Sequence, residues 1–211
     1  MALSTWLGLL AICCLGAMSP GPSLAMVVRH TLSGGRLHGV VCAWAHSIGI
    51  GVYALVTLLG LAAVLKASPV LFNTIAAIGA AYLAWMGIQA LSSKGGMQQK
   101  LAAGKPTSLW VAARDGMAIS LFNPKIFLFF LALFSQFVLA AQTVMGQSLI
   151  VFTPLIIDGL WYTLIAFVLS HSAILPKLRE KAKLIDRLSG IILILLAIRV
   201  FYTLLSSVYL G

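Results

Sequence analysis

The stretch Ala118-Ile119-Ser120-Leu121-Phe122-Asn123-Pro124-Lys125-Ile126-Phe127-Leu128-Phe129-Phe130-Leu131-Ala132-Leu133-Phe134 sets a proline and a cation inside a run otherwise as apolar as lipid. A water-soluble helix has little use for Phe127, Phe129, Phe130 and Phe134 beside a helix breaker. A membrane helix tolerates the break where the freed carbonyls face protein or a water-filled cavity. The break therefore points to a site. A second interruption, Ser19-Pro20-Gly21-Pro22, falls in another hydrophobic run near the other end of the chain. Interrupted hydrophobic segments in both halves of a sequence are the best pointer it offers to a transporter's binding site.

Composition agrees with a bilayer setting. Of the 211 residues 61% are hydrophobic and 9% charged, and the mean hydropathy is +1.07, too apolar for a water-soluble fold. Six spans of about 20 residues with short connections use nearly the whole length. The fold class expected is an all-α polytopic membrane protein of six transmembrane helices. It forms one membrane domain, with residues 1–92 as a first three-helix half, 93–110 as a cytoplasmic connection and 111–211 as a second half. No Lys or Arg precedes the first apolar run, so that run is read as a retained span and not a secretory signal.

The spans expected are about Thr5 to Val28, Gly39 to Leu65, Val70 to Leu91, Val111 to Ala141, Ser148 to Leu175 and Leu188 to Tyr209, the first and fourth broken at their prolines. Pro154 is expected to kink the fifth. The segment Pro176 to Arg187, with its alternating charges, reads as a connection, as does the basic stretch holding His30 and His38.

A net charge of +10 raises the question of nucleic acid, but the basic residues fall between apolar runs and not along one face. Eleven of the 14 Lys and Arg follow spans 1, 3 and 5: Arg29, Arg36, Lys94, Lys100, Lys105, Arg114, Lys177, Arg179, Lys181, Lys183 and Arg187. The opposite side has Lys66. The positive-inside rule then puts both termini in the periplasm. With three spans per half, any repeat between the halves is inverted, a common transporter plan.

Lys125, Asp158 and Arg199 remain inside spans. Each lies about 15–18 Å from the start of its span, close to the middle of a roughly 30 Å core, so the three are expected at one depth. A charge there costs about 2.5–3.5 kcal/mol on insertion scales, so such groups are paired or face a polar cavity. Asp158 either forms a packing salt bridge with Lys125 or Arg199 or serves function, and Arg199 has the further option of snorkelling to an interface. Two cations against one carboxylate, reinforced by half-helix N-termini after Pro22 and Pro124, favour a ligand carboxylate. A zwitterionic amino acid satisfies the set, its carboxylate on Lys125 or Arg199 and its ammonium on Asp158. Asn123 is grouped with these binding residues, and Ser19, Pro20, Gly21, Pro22 and Pro124 are expected to line the site.

His46, within span 2, either carries a proton alongside Asp158 or makes a neutral hydrogen bond across helices. One acid and scattered histidines do not make a divalent-metal site, and no cofactor is called for. Cys13, Cys14 and Cys42 read as small hydrophobes.

Ser19-Pro20-Gly21-Pro22, Gly34-Gly35 with Gly39, Leu121-Phe122-Asn123-Pro124-Lys125, Asp158 with Trp161-Tyr162, and Arg199 together resemble the LysE/RhtB amino-acid exporter family over essentially the whole chain. The resemblance implies a bacterial inner-membrane secondary transporter that exports amino acids or related metabolites using the proton gradient. Within the family's range, which includes lysine, threonine, homoserine and leucine, the positive balance inside the membrane favours a neutral amino acid. Three other classes compete. A membrane thiol redox carrier needs cysteines in both halves, and the second half has none. An intramembrane serine protease built on Ser23 lacks a histidine in the last span. A purely structural subunit has no need of three central charges. Dimerisation through small-residue contacts such as Gly35 to Gly39 is left open.

Overall fold

The computed structural model describes residues 1–19, 21–92, 107–138, 141, 143–169 and 174–209. Among them the chain is all-helical, with eight helices and no strand: α1 (Leu3–Met18), α2 (Pro22–Gly34), α3 (Arg36–Ala67), α4 (Pro69–Leu91), α5 (Leu109–Leu121), α6 (Pro124–Phe137), α7 (Val144–Leu169) and α8 (Ile174–Tyr209). Three helices, α3, α4 and α7, are long and apolar enough to cross a membrane. The number rises to five if each of two bent pairs makes one span: α1 with α2, at 58°, and α5 with α6, at 51°. A shorter apolar stretch, Gly190–Ser206, lies within α8.

Local chemistry explains where these helices begin. Pro22, Pro69 and Pro124 each open a helix, where the missing N–H would have had no intrahelical acceptor and the fixed φ suits the first turn. Side-chain caps assist: Ser68 Oγ accepts from Leu71 N at 3.2 Å, Ser108 Oγ from Val111 N at 3.3 Å and Asn123 Oδ1 from Lys125 N at 3.0 Å. Between α2 and α3 the chain turns on Gly35, whose φ of 86° a side chain would oppose.

Packing then sets which helices touch. α3 lies against α2, α5 and α7, while α4 lies against α6 and α8, and α1 packs on α7. Small residues make the closest approaches, as where Gly116 of α5 meets the Cys42 carbonyl of α3 and Gly87 of α4 meets Gly190 of α8. The outer face of α7 carries exposed Phe152, Ile156, Leu160, Leu164 and Phe167 at helical spacing. Its inner face carries buried Thr153, Pro154, Asp158 and Tyr162. A helix apolar on its exposed side as well as its buried one is suited to lipid and not to water.

Two sequence expectations are corrected here. The segment 176–187 is no loop but the first part of α8, which begins at Ile174. Pro176 falls in the first turn, where its lost N–H costs nothing, and the Leu, Arg, Glu, Lys and Ala residues after it favour helix. Likewise His30 and His38 belong to α2 and α3 and not to a connection. The connecting stretch 93–106, Pro20 and His171 lie outside the described residues.

Candidate functional site

The two helix breaks come together around a cavity of about 60 Å³ among α1, α2, α3, α6, α7 and α8. It sits between packed regions. Cys13, Ile50, Ile126 and Phe130 belong to one buried apolar cluster and Tyr162 to another, and all of them touch the cavity.

One part of its polar lining is built at the breaks. Lys125, in the first turn of α6, donates from Nζ to Ser19 Oγ at 2.9 Å, so the second break is bonded to the end of α1 at the first. Gly21 makes room for this approach, since a Cβ there would stand 3.2 Å from Nζ. Asn123 is 5% exposed. Its Oδ1 is used to cap α6, while its Nδ2 is buried without a partner among the described residues. A buried amide donor left open in this way costs free energy until something accepts from it. The start of α6 adds the partial positive charge of a helix N-terminus, so ammonium, amide and helix end all favour an anion.

A second polar part of the lining is a chain of bonds across three helices. His46 of α3, 1% exposed, lies with Nδ1 2.7 Å from Asp158 Oδ2 of α7 and Nε2 2.9 Å from Ser23 Oγ of α2. Tyr162 sets its ring edge-on to the imidazole, with centroids 5.4 Å apart at 89°. This geometry accommodates two protonation states. A neutral imidazole donates from Nδ1 to Asp158 and accepts the Ser23 hydroxyl proton at Nε2. An imidazolium donates from both nitrogens, and the Ser23 hydroxyl rotates to accept.

The expected residues are distributed as follows. Lys125, Asp158, Asn123, His46, Ser19, Gly21 and Pro22 all line the cavity. Pro124 does not, because it is exposed at the start of α6 and aims its two neighbours inward instead. Arg199 is exposed on α8 and absent from the lining, while Leu193 is the α8 side chain that reaches the cavity. Among the described positions of α8, Gly190, Leu193, Leu196, Ala197 and Val200 are buried, and Arg199 falls on the other face. Asp158 is partnered by His46, not left to rely on Arg199.

Several lining residues have no site role in the sequence reading. Ser23 was weighed only as a nucleophile, Tyr162 only as part of a motif, and Cys13 only as packing. A polar residue directly after Pro22 was the available signal for the first. For the others a single sequence has none, because the contacts cross helices. A second pair was also missed: His30 Nε2 of α2 is 3.2 Å from Asp115 Oδ2 of α5, and Thr107 Oγ1 lies 3.3 Å from His30 Nδ1.

Residues 14–204 match the family described as LysE type translocator. A leucine efflux protein of Enterobacter sp. (strain 638) is 31% identical over 175 residues, 82% of this chain and 82% of that protein. A second leucine efflux protein, from Klebsiella pneumoniae subsp. pneumoniae, is 28% identical over 188 residues, covering 85% and 86%. The uncharacterized membrane protein YahN of Escherichia coli (strain K12) is 27% identical over 190 residues, covering 87% and 83%. No solved structure matches the chain significantly.

Proposed function

The chain belongs to the LysE type translocator family, and from that premise we propose that it exports a neutral amino acid, or a closely related metabolite, across the bacterial inner membrane. Export is coupled to the proton gradient and proceeds by alternating access around the cavity between the two breaks. The observation that carries this reading is the placement of Lys125 and Asp158 on the wall of one cavity. A zwitterion answers both: its carboxylate takes Lys125 Nζ and the open Asn123 Nδ2, and its ammonium takes Asp158. His46 between Asp158 and Ser23 is the proton-carrying group. Relatives named for leucine efflux support a neutral substrate.

In this account the protein has six spans in two inverted halves. α1–α2, α3 and α4 form the first half and α5–α6, α7 and the apolar part of α8 the second, with both termini periplasmic. The pairing of α3 with α7 and of α4 with α8, which are counterparts in the two halves, supports that plan, as does a proline opening both α2 and α6.

Uptake of labelled neutral amino acids into inside-out vesicles, with and without a proton gradient, tests the reading. Gradient-dependent accumulation is expected to be lost in Asp158→Asn and to fall sharply, at substrate levels below the raised KM, in Lys125→Ala. Protein that is folded and inserted yet accumulates none of them would overturn it and turn the search to other small zwitterions or anions.

A further inference from the structure

Besides its polar groups, the cavity has an apolar lining that includes Ile50, Ile126, Phe129, Phe130 and Leu193, with Cys13 among them. None of these offers a strong hydrogen bond. A hydroxyl or ammonium turned toward the wall would lose its water without replacement. Two of the lining residues meet closely: an ideal Cβ on Gly16 would stand 2.7 Å from Cζ of Phe129, so the ring tip lies directly on the bare backbone of α1. Phe130 is held by its edge-on contact with Phe134, at a centroid distance of 5.0 Å and 77°. Phe129 is edge-on to Phe130 at 5.9 Å and 80° and so forms the end of a three-ring stack that terminates at Gly16.

We propose that the Phe129 ring, seated on Gly16, sets the depth of the subsite that takes the substrate's side chain, and thereby restricts transport to amino acids with aliphatic side chains. The inference rests on the proposed export of a neutral amino acid and adds the residues that select among such substrates. With Phe129 in place, an aliphatic side chain fills the space between Ile50, Ile126 and Leu193, and an aromatic one meets the ring. A methyl group at position 16 displaces the ring off α1, and the free space beside it is the cavity itself, so the subsite becomes shallower. Removing the ring makes it deeper.

The experiment compares uptake of labelled alanine, leucine and phenylalanine into the same vesicles for wild type, Phe129→Ala, Phe129→Leu and Gly16→Ala. Ratios between substrates within one preparation cancel differences in insertion. Wild type is expected to carry leucine well and phenylalanine poorly. The phenylalanine-to-leucine ratio is expected to rise about tenfold or more in Phe129→Ala, the scale on which apolar pockets discriminate by size. Phe129→Leu should fall between, and Gly16→Ala should lower the leucine-to-alanine ratio. Unchanged ratios in variants that still carry leucine would overturn the size-setting role and leave the exporter reading standing. Should Phe129→Ala fail to insert, the two gentler variants decide, and unmoved ratios in both would end the proposal. Wild type carrying none of the three amino acids would bring down the exporter reading and this inference together.

Discussion

At the scale of single residues, the proposed function asks the polar groups of the cavity to divide the work between holding a zwitterion and holding a proton. Lys125 and Asn123 offer donors beside the breaks, and Asp158 offers a carboxylate hydrogen-bonded to His46. Lys125→Ala removes a charge-assisted donor worth about 1.5–3 kcal/mol. The KM for a transported amino acid in vesicle uptake should therefore rise by roughly ten- to a hundredfold. Asn123→Ala should weaken binding less, since it removes a neutral donor, and it also loses the cap on α6. His46→Gln separates the two tasks. It keeps hydrogen-bonding capacity toward Asp158 and Ser23 but carries no proton, so gradient-driven accumulation should fall to background while exchange without a gradient continues. Asp158→Asn should lose both activities. If His46→Gln still accumulates substrate against a gradient, the proton is carried elsewhere. The sequence displayed Lys125 and Asp158 plainly, because a charge in an apolar run is conspicuous. Ser23 and Tyr162 were hidden because their roles depend on which helix faces which.

At the scale of elements, close helix contact is what sets the spacing of these groups. Gly116 of α5 stands against the Cys42 carbonyl of α3, and that backbone atom, unlike a side-chain end, has no freedom to retreat. Gly116→Ala is expected to cost about 1–3 kcal/mol by forcing the two helices apart, visible as a lower unfolding temperature in detergent. Wild-type thermal stability in that variant would mean that the contact tolerates a methyl group. The same α2–α3–α5 region carries the His30–Asp115 bond, and His38 Nε2 lies 2.8 Å from the Thr107 carbonyl. His30→Ala leaves Asp115 without its imidazole partner and should also destabilise the protein, by about 1–3 kcal/mol. The breaks themselves were legible in the sequence, because proline states its own backbone requirement. The continuation of α8 through the charged segment was not, since a polar run reads equally well as a connection or as the exposed start of a helix.

At the scale of the whole molecule, the proposed six-span plan makes a prediction about sidedness. A reporter fused after the last residue should be periplasmic, and a cysteine introduced at the exposed Leu184 should react with membrane-impermeant thiol reagents from the cytoplasmic side only. A cytoplasmic C-terminal reporter would reverse the topology and with it the direction assigned to transport. The sequence by itself determined the class of molecule, because burying or exposing apolar residues in lipid is a property of composition and run length. It also determined where the helices break and which charges need an explanation. Only the tertiary structure decided which of those charges meet. The rotations of the packed helices turn Arg199 of α8 away from the cavity, leave Pro124 exposed at the start of α6 and set His46 of α3 against Asp158 of α7, across 112 positions of sequence. Helix rotation is set by the sum of many small packing contacts, and no local pattern in the chain records it.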